Sequence, residues 1–409
     1  MRITVQKYGG TSLANQEQRD KVCGIVHKTL ESGSKVVIVV SAMGRQQEPY
    51  ATDTLIQMVK EVNPQTDPRE MDIIMSCGEI ISGVVLVAQL NARGIPARFF
   101  TGEQAGIVTD GHFNNAHIQY VNPKNIVTCL QEGLVPVVAG FQGRSENGEW
   151  TTLGRGGSDT TASALGVALQ AEVVEIFTDV EGIMTADPRI VGNARLLDAI
   201  TYNEICQLAR DGAKVIHPRA VEIAMQSGIP LRVRSTFSDS PGTLITHQTH
   251  GLQDSVRIIR DRLIAGITYT SNIAQIKIDT GNLQDKKGIE LKVFQTLAQK
   301  GISIDFISVQ PELIMFTVPT DDSAQAISTL KNIGLNPDIE LQCAKVAVVG
   351  AAMTGIPGVM ARVVEALTDN NIPILQSGDS YTNIWCLVKR EHMERAVQAL
   401  HDKFQLGNS

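Results

Sequence analysis

The run Val36-Val37-Ile38-Val39-Val40, opened by Lys35, is continuous, apolar and wholly β-branched. No other stretch constrains the fold as strongly. A strand with one wet face alternates polar and apolar residues, whereas a run like this one is buried on both faces, as in a parallel sheet covered by helices. Val135-Pro136-Val137-Val138-Ala139-Gly140-Phe141 and Val173-Val174-Glu175-Ile176-Phe177 read as further strands. Helical patterns over residues 72–90 and 160–169 lie between them. Alternating strands and helices predict an α/β layered domain with a mostly parallel sheet over roughly the first 236 residues. Ligands of such a sheet belong at the carboxyl ends of its strands. The loops after Tyr8, Val40, Phe141 and Phe177 are therefore the places to search.

The chain has 409 residues, enough for two or three domains. Its net charge of −7 argues against a nucleic-acid-wrapping surface. No apolar run approaches the roughly 20 residues of a membrane span. Met1 leads straight into a strand pattern, which reads as a chain without a signal peptide. Six scattered cysteines with no C-x-x-C pair suggest reduced thiols and a cytoplasmic location. His247 and His250 form H-x-x-H in a Ser/Thr/Gln-rich stretch, with no further ligand cluster beside them.

A repeat appears after about residue 262. Gly288 matches Gly358 at an offset of 70 residues, and Ile289, Val293, Leu297, Ile302, Ile304, Val318 and Leu330 each meet an apolar residue at the same offset. The order strand, helix, strand, strand, helix predicts two copies of a βαββαβ unit.

Two glycine-rich loops carry the chemistry. Lys7-Tyr8-Gly9-Gly10-Thr11-Ser12 follows a strand, and Thr11 or Ser12 is positioned to cap the next helix. Glycines let backbone N–H groups approach an anion closely. The lysine precedes the glycines, so this is not a Walker-type P-loop. In Gly154-Arg155-Gly156-Gly157-Ser158-Asp159 the arginine suits a carboxylate, and Ser158 or Asp159 suits a helix cap. A third loop, Thr178-Asp179 continuing to Met184-Thr185-Ala186-Asp187-Pro188-Arg189, leaves a buried strand with charges suited to ribose and phosphates. Lys214, Glu79, Ser41 and Thr52-Asp53 are weaker signals; each in isolation reads as a solvated surface group. His217 reads as a structural contact.

Taken in order, residues 7–12, 40–44, 77–79, 138–143, 153–162, 178–189 and 232–245 resemble the aspartate kinases of the amino acid kinase family. The duplicated tail resembles their paired ACT modules, and the resemblance covers essentially the whole chain. It implies an αβα sandwich of the amino acid kinase fold over residues 1–245, a linker over 246–262, and ferredoxin-like ACT domains over 263–340 and 341–409, with strand 263–270 pairing with the second.

The implied reaction moves the γ-phosphate of ATP to the side-chain carboxylate of L-aspartate, giving ADP and 4-phospho-L-aspartate. That step opens the routes to lysine, diaminopimelate, methionine and threonine. By resemblance, Lys7, Asp159 and Lys214 are the catalytic set, with Asp159 holding the lysines. Tyr8, Gly9, Gly10, Ser41, Thr178, Asp179, Met184, Thr185, Ala186, Asp187, Pro188 and Arg189 join the two lysines around ATP. Glu79 receives the substrate ammonium and Arg155 its α-carboxylate. Gly156, Gly157 and Ser158 line the same place, and Thr52 and Asp53 lie in a loop over it. Mg2+ is implied on the ATP phosphates, with no protein ligand assigned. A homodimer or higher homo-oligomer is implied, since ACT sheet edges pair between subunits.

Residues 279–288 lack the proline of the lysine- and threonine-sensitive pattern, while Gly355-Ile356-Pro357-Gly358 keeps it. The tail is more similar to the Bacillus-type isozymes controlled by diaminopimelate, which makes that compound or a related end product the expected effector. Two rival readings share parts of the pattern. Another phosphotransferase of the same family is disfavoured by Glu79, Arg155 and the duplicated tail. An amino-acid sensor with an inactive kinase domain is disfavoured by the retention of Lys7, Arg155 and Asp159.

Overall fold

The computed structural model describes residues 1–45, 47–247, 263–281, 288–350, 353 and 356–407. Most of the expected linker, the first-repeat turn at 282–287, His250 and Gly355 lie outside the described residues. The chain forms two compact units that interleave along the sequence. The first comprises Met1–Met184, Leu196–Arg210 and Lys214–Arg260, and the second Thr185–Arg195, Asp211–Ala213 and Asp261–Ser409.

The strands of the first unit, in chain order, are β1 (Ile3–Tyr8), β2 (Lys35–Val40), β3 (Ala97–Phe100), β4 (Ile107–Thr109), β5 (Ile118–Val121), β6 (Val135–Ala139), β7 (Gln142–Ser145), β8 (Trp150–Thr152), β9 (Val173–Thr178), β10 (Ala199–Thr201), β11 (Leu231–Ser235) and β12 (Thr243–Thr246). Its helices are α1 (Gly10–Leu13), α2 (Gln16–Glu31), α3 (Thr52–Val62), α4 (Pro68–Ala92), α5 (Lys124–Gln131), α6 (Gly157–Ala168), α7 (Tyr202–Arg210) and α8 (Pro218–Ser227). An eight-stranded sheet runs β10-β12-β11-β9-β1-β2-β6-β3, parallel throughout except between β11 and β12. Val36, Ile38 and Val40 pack with Val22, Val26, Leu86 and Leu90 of α2 and α4. Val37 and Val39 point to the opposite face and are equally buried. This is the both-faces burial that the β-branched run predicts. A smaller sheet, β5-β4-β7-β8, sits beside it.

Three local expectations are corrected. Gly10, Thr11 and Ser12 wind into the short α1, so neither hydroxyl caps the following helix; Asn15 caps α2, its Oδ1 accepting from the Gln18 N–H. Helix α6 begins at Gly157, three residues earlier than residue 160, because Gly156 takes the left-handed conformation (φ 71°) that starts it. Ser158 and Asp159 therefore lie inside the first turn instead of capping it. Finally, α4 is a 25-residue helix long and apolar enough by length and composition to cross a membrane. Its buried residues include Asp72, Ser76, Glu79 and Ser82, and it packs on β3 and β6 as a core helix.

The second unit contains β13 (Gly266–Asp279), α9 (Ile289–Gln299), β14 (Asp305–Gln310), β15 (Leu313–Pro319), α10 (Ser323–Asn332), β16 (Asp338–Val349), α11 (Val359–Asp369), β17 (Gln376–Asp379), β18 (Asn383–Lys389) and α12 (Met393–Lys403). Its sheet runs β14-β15-β13-β16-β18-β17. The repeat is visible element by element: α9 and α11, and β15 and β18, begin and end 70 residues apart. Val293, Leu297, Ile302, Val318 and Leu330 fill one core, and Val363, Leu367, Ile372, Val388 and Leu400 fill the other. The first half of β13, Gly266 to Thr270, pairs with β16.

Candidate active site

Strands β9, β1, β2 and β6 lie side by side and parallel, so their carboxyl ends open on one edge. A cavity of about 360 Å³ lies there. It is lined by Lys7 of β1 and Gly10 of α1, by Ser41, Ala42, Gly44 and Arg45 after β2, and by Phe141 after β6. Thr52 and Asp53 of α3, Glu79 of α4, and Gly154 through Asp159 complete it. Residues that the sequence scatters over 150 positions thus share one wall.

Each loop is built to let backbone come close. A side chain at Gly10 would lie 2.6 Å from Ala42 O and 2.7 Å from Gly44 O, so only glycine fits between the loops after β1 and β2. Gly44 N donates to Gly10 O and Ser41 N to Tyr8 O, tying these loops together. Phe141 holds a positive φ of 68° and would clash with any Cβ at Gly157, 2.6 Å away.

Lys7 Nζ lies 2.7 Å from Asp159 Oδ1, with both side chains about one-eighth exposed (13% and 12%). Asp159 stands in the first turn of α6, where the helix dipole favours a carboxylate. The pair fixes a cation at the mouth of β1. Glu79 is 3% exposed, and its Oε1 accepts from the Ala42 N–H at 3.0 Å. Its Oε2 is buried and has no hydrogen-bond partner among the described residues. Burial pushes its carboxyl up to about 8, against smaller opposing effects of the Ala42 N–H and Lys7. A buried acceptor with a free oxygen is costly unless a donor arrives. Arg155 is exposed on the cavity's opposite loop. The cavity therefore offers a fixed cation, a carboxyl waiting for a donor and a guanidinium for an acid.

Several sequence-selected residues lie elsewhere. The Tyr8 ring is wholly buried and stacked on Phe177 at 4.8 Å, leaving only its backbone toward the loops. Gly9 N donates to Phe177 O. Asp179 follows β9 and pairs with Arg45 at 2.7 Å. Lys214 is exposed in the turn between α7 and α8 and does not line the cavity. Met184 bridges Leu196 within the first unit. Thr185, Ala186, Asp187, Pro188 and Arg189 belong to the second unit. There Thr185 Oγ1 bonds His401, and Asp187 takes Arg189 and the Tyr269 hydroxyl. Arg189 holds the Asp187 carboxyl below its usual range. His217 Nδ1 accepts from Arg219 N, the structural role expected of it. Arg45 and Phe141 were not singled out from the sequence. Arg45 follows directly on the glycine-terminated segment 40–44, a signal that was available; Phe141's contribution depends on its backbone φ, which leaves no mark in composition.

The family model described as amino acid kinase family matches residues 2–235, and an ACT domain model matches residues 338–402. Aspartokinase 1 of Bacillus subtilis is 46% identical over 407 residues, covering 100% of both chains. An aspartokinase of Thermus thermophilus is 39% identical, again with 100% coverage of both. Among solved structures, E. coli aspartokinase III in complex with aspartate and ADP matches with a TM-score of 0.78 at 27% identity, over 98% of this chain and 99% of that one. The same enzyme in complex with lysine and aspartate matches at 0.77 and 27% identity, with the same coverage.

Proposed function

The chain belongs to the amino acid kinase family as an aspartokinase, and on that premise we propose how its residues divide the transfer of the ATP γ-phosphate to the side-chain carboxylate of L-aspartate. The nucleophile is an acid already ionised at neutral pH, so no activated Ser, Cys or His is required. Positioning and charge neutralisation supply the rate. Lys7, held by Asp159, faces the transferring phosphoryl group. Glu79 receives the substrate ammonium through Oε2, and Arg155 grips the α-carboxylate. Gly10 offers its N–H to the phosphates beside Ser41, and Gly9, whose N–H is taken by Phe177 O, lets the backbone pass close to them. Gly156, Gly157 and Ser158 line the substrate, with Thr52 and Asp53 over it. Thr178, Asp179, Met184 and Lys214 contact the nucleotide.

The observation that carries this reading is the buried Oε2 of Glu79, without a hydrogen-bond partner among the described residues, in the same cavity as the Lys7–Asp159 pair. Mg2+ carried on the ATP phosphates would neutralise part of their charge. Asp159 is taken by Lys7 and Glu79 is kept for the substrate ammonium, which suits a metal carried on phosphates and water. The test is ADP release with Mg-ATP and L-aspartate, repeated with glutamate and with Lys7→Ala. Turnover on aspartate should fall on the order of 10²–10³-fold in the variant. Equal turnover on both amino acids, or an unimpaired variant, would overturn the roles.

Catalysis belongs to the first unit and effector control to the second. Diaminopimelate or a related lysine-route end product is the proposed effector, checked by titrating activity with diaminopimelate, lysine and threonine. A homodimer or larger homo-oligomer is supported by the edge strand β14, where Ile307 and Val309 are about half exposed (52% and 50%). Free thiols at all six cysteines suit a cytoplasmic enzyme.

A further inference from the structure

A buried carboxylate and a part-buried guanidinium outside the cavity converge on the arginine loop. Asp72 lies two turns before Glu79 on α4, fully buried. Its carboxylate accepts from Asn114 N at 3.0 Å, from Thr152 N at 2.8 Å and from Thr152 Oγ1 at 2.7 Å. Arg219, in the first turn of α8, donates from Nη1 to Leu153 O at 2.9 Å and from Nη2 to Ala116 O at 2.7 Å. Ala116 N in turn donates to Thr152 O at 2.9 Å. Asp72 therefore satisfies N–H groups, and Arg219 satisfies carbonyls, of the same two strips of backbone.

Those strips set the arginine loop. Thr152 and Leu153 lead directly into Gly154-Arg155. The hairpin tip between β4 and β5 lies against Gly154, where a side chain would come within 2.8 Å of Asn115 Oδ1. That tip is folded by Asp110, which accepts from the His112 and His117 N–H groups. On the other side, a side chain at Gly156 would overlap His217, the N-cap of α8. The loop is thus wedged between a hairpin tip, fastened by Asp72 and Arg219, and a helix start that Arg219 ties to the same backbone. Arg155 itself is exposed, so the backbone of this loop decides where its guanidinium points.

We propose that Asp72 and Arg219 are positioning residues for substrate recognition: they fix the loop that presents Arg155, and α4 thereby governs both ends of the amino-acid clamp, Glu79 directly and Arg155 through Asp72. The proposal rests on the reading of Arg155 as the α-carboxylate clamp. Neither residue lines the cavity. Their loss should therefore act on aspartate binding and leave ATP binding in place.

The test uses the full chain, with aspartate and ATP each varied at saturating partner, and thermal unfolding of every variant. Asp72→Asn, Thr152→Val and Arg219→Gln should each raise KM for aspartate, by about tenfold for the charge changes, while KM for ATP stays within about twofold. A purely structural role would move both constants or neither. A folded Asp72→Asn enzyme with unchanged KM for aspartate would overturn the proposal, as would an equal rise in both constants. Should Asp72→Asn not fold, Thr152→Val decides by the same criterion, since it removes one bond and keeps the carboxylate. Arg155→Lys run in parallel separates the two layers. If it leaves KM for aspartate unchanged, the clamp reading falls and this proposal with it; if it raises KM while the Asp72 and Thr152 variants do not, only the positioning role falls.

Discussion

Glu79 holds a proton that its position makes hard to lose. Its carboxyl, ordinarily near 4.5, is pushed up to about 8 by burial. Between those values the folded chain keeps a proton that the unfolded chain releases, so this residue's contribution to stability declines as pH rises from 4.5 to about 8 and is constant above that. Aspartate changes the balance. In the proposed role of Glu79, a substrate ammonium at Oε2 would favour the carboxylate, so binding at pH 7 should expel about one proton. Affinity should tighten as pH rises toward 8 and then level off. Calorimetry in buffers of different ionisation enthalpy counts that proton. Glu79→Gln should bind weakly, release none and lose the pH dependence; a variant releasing as many protons as the parent would show that another group titrates. The sequence pattern made Glu79 at best an exposed helix charge, and only resemblance gave it a role. Burial is a tertiary property, and the free oxygen that makes the residue informative depends on Ala42, 37 residues away.

Helix α4 shows what a local pattern can and cannot say. A helix over residues 72–90 is legible from apolar spacing, and the observed Pro68–Ala92 extends it at both ends. The added N-terminal turn follows from Asp67, whose side chain accepts from Arg69 N, and from Pro68 in the first position. The strand at 35–40 is legible to the residue, because β-branched burial on two faces leaves few alternatives. Less legible are the loops at 9–15 and 154–159, where a hydroxyl that looks like a cap winds into the helix once a neighbouring glycine takes over the bend. On α4 the polar positions Asp72, Ser76 and Glu79 fall on a buried face, opposite to the usual rule, because Glu79 meets the site while Asp72 and Ser76 are taken up by hydrogen bonds. The apolar positions carry the stability. Leu90 is fully buried in the cluster with Val26, Val36 and Val135. Leu90→Ala should therefore cost about 2–5 kcal/mol in denaturant unfolding. KM for aspartate in the folded fraction should stay unchanged, since Leu90 lies three turns beyond Glu79 on α4. A cost below about 1 kcal/mol would mean that the site collapses to fill the void.

At the scale of the whole chain, the repeat was legible because its offset is constant and its apolar positions coincide, and a core that must be filled twice leaves the same mark twice. The interleaving of the units was not. Thr185–Arg195 and Asp211–Ala213 pack with the second unit although first-unit sequence lies on both sides, and nothing in their composition marks the excursion. What holds the shorter one is specific. Asp211 is buried, with Lys345 Nζ 2.5 Å from Oδ1 and Asn383 Nδ2 donating to Oδ2 at 2.7 Å. Lys345 also lies over the Phe306 ring at 4.3 Å, and Phe306 stacks on Trp385 at 4.0 Å. Phe306 comes from the first repeat and Trp385 from the second, so one ion pair ties both repeats to a segment three residues before Lys214. Removing one partner of a buried pair leaves an uncompensated charge, which costs about 3–5 kcal/mol. Lys345→Met should lower stability by that order, and adding Asp211→Leu should recover much of it, because replacing both charges by apolar groups removes the desolvation penalty. The kinetic consequence is separable. If the anchored segment fixes Lys214, kcat should fall in Lys345→Met at temperatures where circular dichroism reports a folded chain, and the double variant should regain stability without regaining kcat. Full activity in the folded single variant would show that the pair holds the second unit together and does not reach the phosphoryl-transfer machinery.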